Sequence, residues 1–400
     1  MMNRENIHIH LNKSTYLTNE QIWFKGYIIE KKIKSPFYDT TNVYVSLMDE
    51  NGQKIQTHLC YAENSIFEGN FKLDKTFKSG KYFLQVYTNY MNNFSEDESS
   101  TYEITILNTE ESTNNLNNAV NYNLIDVSFF PESGSFIEGI SNTIGIKTVD
   151  CNDNGIEIKN GEIFDTKGNL ITNFSTNGFG YGKFEIKETE LEQYKAVCII
   201  QEKKIERNLP LPTALGIAFS VDNYIVPNKT IIKVKTNTKS LSNLNQNPYT
   251  LVIQQNESAS FLDFSLKDIA TEQTFIIPNE KILEGINTIH LVDSNLLKIG
   301  ERIIYKPYTS ASNIALTINE KRNDSIVISG TSRMPLANMS ISITPAESVA
   351  HQSEKSIISA LQFDSYLTNT SKNIGYYLND FSRKKQYELD NYLLTQKSKY

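Results

Sequence analysis

The 400-residue chain has little of what small disulfide-bonded or zinc-binding domains rely on. Only three cysteines occur, Cys60, Cys151 and Cys198, and they lie far apart with no CxxC spacing. This distribution excludes a zinc knuckle and a dense disulfide framework. One disulfide bridge remains open, but the odd count favours free thiols, with Cys198 buried in the strand pattern of residues 195–200.

Long apolar runs and basic runs are also missing. No stretch of about 18 consecutive apolar residues occurs, so no transmembrane helix is predicted in this chain. The formal net charge is -7, and no run of Lys or Arg is long enough to follow a phosphate backbone, so we expect no nucleic-acid partner. The first residues lack the basic and apolar regions of a secretory signal, which leaves two alternatives: a cytoplasmic protein, or a chain whose true beginning is missing.

The local signatures of common enzyme sites are absent as well. The chain has no GxSxG or HExxH segment and no GxxxxGK segment followed by Ser or Thr, and it has only five histidines. We therefore predict a protein that is not an enzyme, with no catalytic residue, no cofactor and no metal.

The chain is rich in residues that suit β-strands, including 22 Tyr and 20 Phe. Apolar and polar residues alternate in short runs, and turn signals such as Asn51-Gly52 separate these runs. The pattern predicts an all-β chain of tandem antiparallel β-sandwiches, Ig-like in kind, with a short helical segment near the C-terminus. In the first block the predicted strands are residues 6–11, 21–29, 42–47, 82–87 and 102–107.

Composition shifts predict the domain boundaries. The polar, Asn-rich stretch after residue 108 cannot bury itself and is typical of a linker. Pro210, Pro212 and Pro307 suit connections better than central strands because proline donates no ladder hydrogen bond. The predicted units are a first sandwich over 1–108, a linker over 109–123, a second sandwich over 124–209, a third over 210–308, and an incomplete fourth with a helical insertion over 309–400.

The last of these units is expected to be incomplete because it offers only three strand patterns, at residues 314–318, 325–329 and 339–344. From Ser353 onward the apolar spacing becomes helical, and we predict two short helices there. Three strands and exposed helices would bury little surface, so we expect the natural protein to continue beyond this sequence.

Two features could suggest a ligand site. His8 and His10 lie two residues apart on a predicted strand and could offer two imidazoles to a metal, but no third ligand is evident, so half-exposed edge-strand histidines are favoured. The glycine-rich run Gly178–Gly182 could cradle an anion, but a strand pattern follows it where a dinucleotide loop would lead into a helix. Hairpin glycines are therefore favoured.

Acidic and aromatic residues raise two further alternatives. Asp150, Asp153 and Asp165 could bind calcium, but they coincide with turns and lack EF-hand spacing. Trp23, the single tryptophan, could form a sugar-binding platform, although a core anchor of the first sandwich is favoured.

One segment carries a family resemblance. Residues 13–27, with Tyr16, Glu20 and the run Trp23-Phe24-Lys25, resemble the opening strand pair of the second macroglobulin-type domain (MG2) in α2-macroglobulin-like proteins. The resemblance is closest to a Bacteroidota group of large secreted proteins, and it departs at Asn19, where Gly is usual. Further segments similar to this group cover nearly the whole chain: residues 85–94, 129–134, 180–184, 301–305 and 389–396.

The resemblance implies a location in the periplasm, outer membrane or cell surface, and a protein partner in the envelope such as a TonB-dependent outer-membrane transporter. The Cys-Gly-Glu-Gln thioester motif of protease-trapping macroglobulins is absent, so covalent trapping is not expected. The main hypothesis is a noncatalytic envelope scaffold or binding protein. A protease-inhibitor-like macroglobulin without thioester and a glycan-binding or adhesive module remain alternatives.

Overall fold

The computed structural model describes residues 3–111, 120–244, 247–266, 270–308, 315–321, 325–331, 337–345, 355–368, 373–378 and 381–399. About half of these residues lie in β-strands, which form several mainly antiparallel sheets, and helices are concentrated near the C-terminus. This architecture confirms the predicted all-β class of tandem sandwiches with a short helical segment.

The first sandwich encloses one hydrophobic core between two sheets. Its strands are β1 (Glu5–Leu11), β2 (Thr15–Leu17), β3 (Gln21–Glu30), β4 (Asn42–Asp49), β5 (Lys54–Tyr61), β6 (Ile66–Lys72), β7 (Gly80–Tyr87) and β8 (Ser100–Leu107). One sheet has the order β1-β3-β6, and the other has the order β2-β8-β7-β4-β5, in which β2 runs parallel to β8. A 3-10 turn at Tyr90–Asn93 follows β7.

The second sandwich is built from seven strands in sheets of three and four. They are β9 (Ile125–Pro131), β10 (Asn142–Asp150), β11 (Gly161–Phe164), β12 (Leu170–Phe174), β13 (Tyr181–Ile186), β14 (Lys195–Ile200) and β15 (Lys203–Asn208). The sheet orders are β13-β10-β9 and β12-β11-β14-β15. A separate hydrophobic core fills the space between these sheets.

The third sandwich repeats the three-plus-four arrangement around its own core. Its strands are β16 (Ile217–Asp222), β17 (Lys229–Thr236), β18 (Tyr249–Gln255), β19 (Ser258–Phe264), β20 (Glu272–Pro278), β21 (Gly285–Val292) and β22 (Lys298–Lys306). The orders are β16-β17-β20 and β19-β18-β21-β22. Helix α1 (Thr238–Leu244) follows β17, and a 3-10 turn (Asn279–Lys281) precedes β21.

The C-terminal part contains a two-stranded hairpin and helices. The hairpin consists of β23 (Ala315–Lys321) and β24 (Ile326–Thr331). The helices are α2 (Ile357–Ser359), which continues into a π-helical turn (Ala360–Asp364), α3 (Ile374–Leu378) and α4 (Arg383–Leu394). None of the described helices is both long and apolar enough to cross a membrane.

Two details of the last unit differ from the sequence-based expectation. Residues 339–344 were predicted as a third strand, but the structure gives them no strand, and Met339, Ile341 and Ile343 are exposed. The described part of this unit contains three helical pieces where two short helices were predicted. Residue 314 and Ser353, which open two of the predicted elements, lie outside the described residues.

The π-helical turn, α3 and α4 do not project into solvent. Their apolar side chains join Tyr181 of the second sandwich and Ile286, Ile303 and Tyr305 of the third in one shared hydrophobic cluster. We call residues 355–399, where described, the helical hub. Because this cluster draws on two sandwiches, the hub is packed between them.

Candidate functional site

Four buried or half-buried charged side chains meet where the second sandwich, the third sandwich and the hub come together. Glu132 lies in a 3-10 turn after β9, and Lys183 lies on β13. Arg302 lies on β22, and Asp390 lies on α4. We call these four residues the charged junction.

Arg302 is the centre of the charged junction. Its side chain is only 2% exposed. The Nε atom donates to Glu132 Oε1 at 3.0 Å, and Nη2 donates to Asp390 Oδ1 at 2.5 Å. The Nη1 atom donates to the carbonyl oxygen of Ile303 at 2.6 Å. One guanidinium therefore links an acid of the second sandwich to an acid of the hub.

Lys183 completes the network on the other oxygen of Asp390. Its Nζ donates to Asp390 Oδ2 at 2.7 Å and to the hydroxyl of Tyr224, after β16, at 3.1 Å. The ammonium also lies 5.4 Å from the ring centre of Tyr224 and 5.1 Å from that of Tyr387 on α4. Such aromatic faces attract a cation. Lys183 therefore links the second sandwich to the third sandwich and to the hub.

The protonation states follow from this geometry. Burial by itself would raise the pKa of Asp390, but Arg302 and Lys183 outweigh burial and hold that pKa below its usual value. Burial would lower the pKa of Lys183, and Asp390 together with Tyr224 raises it instead. Asp390 and Lys183 are thus both charged at neutral pH.

Glu132 and Ser133 also bind the backbone of the third sandwich directly. The N–H of Val221 donates to Glu132 Oε1 at 3.0 Å, and the N–H of Phe219 donates to Ser133 Oγ at 3.1 Å. Ser133 reaches this position with a φ of 60°, in the left-handed region. Its hydroxyl thereby supplies an interdomain hydrogen bond.

Stacked rings surround the charged junction. Tyr305 of β22 stacks on Phe363 of the π-helical turn, with ring centres 5.0 Å apart. Tyr181 of β13 packs edge to face on Tyr392 of α4 at 5.1 Å, and Tyr377 of α3 stacks on Tyr392 at 5.9 Å. These ring contacts pack the hub against the second and third sandwiches.

The hub also contacts the first sandwich. The carboxylate of Glu98 is 4% exposed; Arg4 binds it at 2.5 Å and Lys31 at 3.1 Å. The Nζ of Lys399, at the end of the hub, lies 3.6 Å from the same carboxylate. Asn6 of β1 donates to the hydroxyl of Ser365 in the hub. The hub therefore touches all three sandwiches.

The first and third sandwiches also contact each other directly. The Nζ of Lys34 donates to the Tyr308 hydroxyl at 2.7 Å, and Lys32 pairs with Glu257. The amide of Asn256 donates to the Lys31 carbonyl at 3.4 Å and to the Tyr366 hydroxyl at 3.3 Å. The three sandwiches and the hub thus form one continuous body.

Of the two histidines singled out from the sequence, His8 differs from expectation, whereas His10 is half-exposed on the edge strand β1 as predicted. His8 was predicted to be half-exposed, but it is 3% exposed, and its Nδ1 lies 3.1 Å from the hydroxyl of Tyr102. His10 Nδ1 lies 2.7 Å from the hydroxyl of Ser340. His351 lies outside the described residues. No three His, Cys, Asp or Glu side chains of the described residues form a group that could hold a metal ion.

Trp23 is not the core anchor that the sequence analysis favoured. Its side chain is 53% exposed, whereas Ile22 and Phe24 are buried. The reason is the two-residue period of β3, which allows only one of two neighbouring side chains to face the core. The three cysteines are free, as expected, and Cys198 is buried in β14.

The glycine run and the acidic residues have structural roles. Gly178–Gly182 does not form a hairpin, because β12 and β13 lie in different sheets; it carries the chain from one sheet to the other. Gly180 has a φ of 82°, and a Cβ there would lie 2.0 Å from the Thr148 carbonyl oxygen. The carboxylates of Asp150 and Asp165 accept backbone N–H groups of the turns that follow them.

Sequence reasoning did not single out any member of the charged junction. A signal was present: Asp390 lies in a helix beside Leu389, Tyr392 and Leu393, where an acid on a buried face requires a cationic partner. The identity of that partner could not be inferred, because Arg302 is 88 residues away in sequence. The guanidinium N–H groups of Arg302 donate to acceptors within the protein itself. The charged junction therefore acts as a fixed structural contact.

A scan against protein-family models finds no match, and a search of the curated proteins finds none. Among solved structures, the chain is similar to Escherichia coli α2-macroglobulin activated by porcine elastase, with 9% identity and a TM-score of 0.27 over 82% of this chain and 33% of that one. Salmonella α2-macroglobulin reacted with methylamine gives 9% identity and a TM-score of 0.23, with 79% and 24% covered. Dimeric latent PorU from Porphyromonas gingivalis gives 12% identity and a TM-score of 0.31, with 75% and 33% covered.

The chain therefore spans a third or less of the length of these three solved proteins. The likeness concerns the β-sandwich fold alone. The structure itself shows a chain of antiparallel β-sandwiches packed against a helical hub.

Proposed function

We propose that the chain is a noncatalytic scaffold or binding protein of the cell envelope that acts through the surfaces and edge strands of its sandwiches. The observation that carries this proposal is the charged junction together with the hub. Buried ion pairs of this kind contribute little net stability compared with apolar packing, but they tolerate only one geometry. Such a junction suits a protein that must present several surfaces in a fixed arrangement.

The partner is proposed to be a protein of the envelope, and the role is proposed to be accessory to TonB-dependent outer-membrane transport. The support comes from the sequence segments that resemble the Bacteroidota group, four of which supply the charged junction. Unpaired strand edges such as β5 and β15 could accept a partner's strand by main-chain pairing. We retain the division at residues 108, 123, 209 and 308 as a proposal for the domain boundaries.

The experiment is a pull-down from envelope extract of the source organism with this chain as bait, followed by mass spectrometry. We expect an outer-membrane transporter to be enriched over a control bait of similar size and charge. Recovery of proteases alone would favour the inhibitor-like alternative. Enrichment of no envelope protein would contradict the proposal.

The same extract allows a sharper comparison. A bait carrying Arg302→Met breaks the charged junction but leaves the outer surface of each sandwich unchanged. If the partner spans more than one sandwich, this bait should retain at least tenfold less of it. Equal retention by both baits would locate the partner on a single sandwich and contradict a role for the fixed arrangement.

A further inference from the structure

A polar cleft lies at one end of the first sandwich. Residues 39–41 before β4 and Asn42, its first residue, form one wall, and Thr88, Asn89 and Tyr90 after β7 form the other. The cleft has a volume of about 510 Å³, which is within the range of small-ligand sites. Loops at the end of a sandwich are where Ig-like domains commonly place their binding residues.

The walls of the cleft are held in place by buried contacts. Glu5 on β1 is 1% exposed, and its carboxylate accepts hydrogen bonds from the hydroxyls of Thr40 and Thr88, one from each wall. The N–H of Ala62 donates to the carbonyl oxygen of Thr41 at 2.7 Å, and the hydroxyl of Tyr90 donates to the backbone carbonyl oxygen of Asn3 at 2.7 Å. The opening therefore exists before any ligand arrives.

Three polar side chains of the cleft remain available. Asp39, Thr41 and Asn42 are exposed, and no other described residue forms a hydrogen bond with their side chains. Together they offer a carboxylate acceptor, a hydroxyl, and an amide that both donates and accepts. An exposed aromatic ring stands beside them, because Tyr61 on β5 is the cross-strand partner of Asn42 and is 70% exposed.

The chemistry of the lining selects among ligand classes. None of the residues lining the cleft is Lys or Arg, so it does not suit a phosphate or a nucleic acid. The lining is mainly Asn, Asp and Thr, so an apolar ligand would gain little there. A ligand rich in hydroxyl groups matches paired donors and acceptors, and its C–H faces can pack on a tyrosine ring whose edge remains polar.

We infer that this cleft binds an oligosaccharide, with Asp39 and Asn42 bonding its hydroxyl groups and Tyr61 packing against a sugar ring. The site is distinct from Trp23, which lies on β3 in the other sheet of the same sandwich. The inference stands independently of the proposed envelope partner.

The test is a glycan array probed with the full labelled chain, followed by calorimetric titration of the oligosaccharide that binds best. We expect Asn42→Ala and Asp39→Ala each to weaken binding at least tenfold. The matched control is Asn173→Ala, at an exposed position of β12 in the second sandwich, which should bind like the unchanged protein. Thermal unfolding midpoints verify that each variant is folded.

Two results would overturn the inference. The first is an array on which no oligosaccharide binds above background. The second is binding that survives Asn42→Ala and Asp39→Ala but is lost in Trp23→Ala, which would assign the sugar to the exposed tryptophan and leave the cleft without a role.

Discussion

At the scale of single residues, Arg302 illustrates the free energy that is lost when a buried charged group is separated from its partners. It is buried between two carboxylates. If the guanidinium were removed, Asp390 would keep only Lys183 as a cationic partner, and Glu132 would keep only the backbone N–H of Val221. Breaking such a group by removing one partner typically costs about 3–5 kcal/mol. The charged junction is therefore the place where a single substitution should matter most.

We predict that Arg302→Met lowers the free energy of unfolding by about 3–5 kcal/mol, measured by urea denaturation. The control is Lys75→Met, which removes a fully exposed ion pair with Glu110 and should change stability little. Similar losses in the two variants would show that burial does not govern the energy of these pairs.

His8 should make stability depend on pH. Burial, aided by His10 and Lys355, lowers the pKa of His8 to about 3. As the pH falls below the ordinary histidine value of about 6.5, the unfolded chain takes up a proton that the folded chain does not. The folded state therefore loses stability on acidification, by about 1.4 kcal/mol per pH unit once the pH is well below that value.

The measurement is the free energy of unfolding of the unchanged protein and of His8→Gln between pH 6.5 and 4.5. Glutamine does not titrate, so the variant should show a smaller loss of stability on acidification than the unchanged protein. Parallel curves for the two proteins would mean that His8 does not contribute to the pH dependence.

At the scale of elements, α4 and β10 are joined by one close contact. A Cβ built on Gly145 of β10 would lie 2.2 Å from Leu394 Cδ2 at the end of α4. The absence of a side chain at Gly145 is therefore what lets the helix approach the strand. This contact fixes the hub against the second sandwich.

We predict that Gly145→Ala and Leu394→Ala each destabilise the protein, the latter by about 2–5 kcal/mol because it empties a packed site. In the double variant the shortened side chain at 394 should make room for the new methyl group, so the two losses should not add. Denaturation of the single and double variants measures this coupling. Gly178→Ala, where a Cβ meets nothing within 4 Å, is the control, and strict additivity would argue against the contact.

At the scale of the whole molecule, the hub holds the three sandwiches in one fixed arrangement. It shares a hydrophobic cluster with the second and third sandwiches and pairs Lys399 with Glu98 of the first. Rigidity of this kind differs from the flexible linkage that interdomain contacts usually provide.

We predict that a chain ending at residue 308 keeps its sandwiches but loses their fixed arrangement, because Tyr181, Ile303 and Tyr305 lose their partners in the hub. Small-angle X-ray scattering should give a radius of gyration larger than that calculated for residues 3–308 as they lie in the full structure. The full chain serves as the control. Scattering by the shorter chain that fits the unchanged arrangement would show that the hub is dispensable.

Central strands were predictable from the sequence, whereas several edge strands were not. The patterns at 21–29 and 82–87 correspond to β3 and β7, because one face of each strand is buried and the other is not. Strand β5, for example, was not predicted, since it lies at a sheet edge and is exposed along most of its length, so it carries no clear alternation.

The sequence by itself determined the class of fold, since period-two alternation is a local property of the chain. Only the tertiary structure decided which charges meet: Glu132, Lys183, Arg302 and Asp390 are separated by 51 or more residues in the chain, yet they form one network. The physical reason is that ion pairing depends on distance in space, and sequence spacing carries no information about that distance once the chain turns between sheets. The same holds for the polar cleft, which exists because two loops meet at the end of the first sandwich.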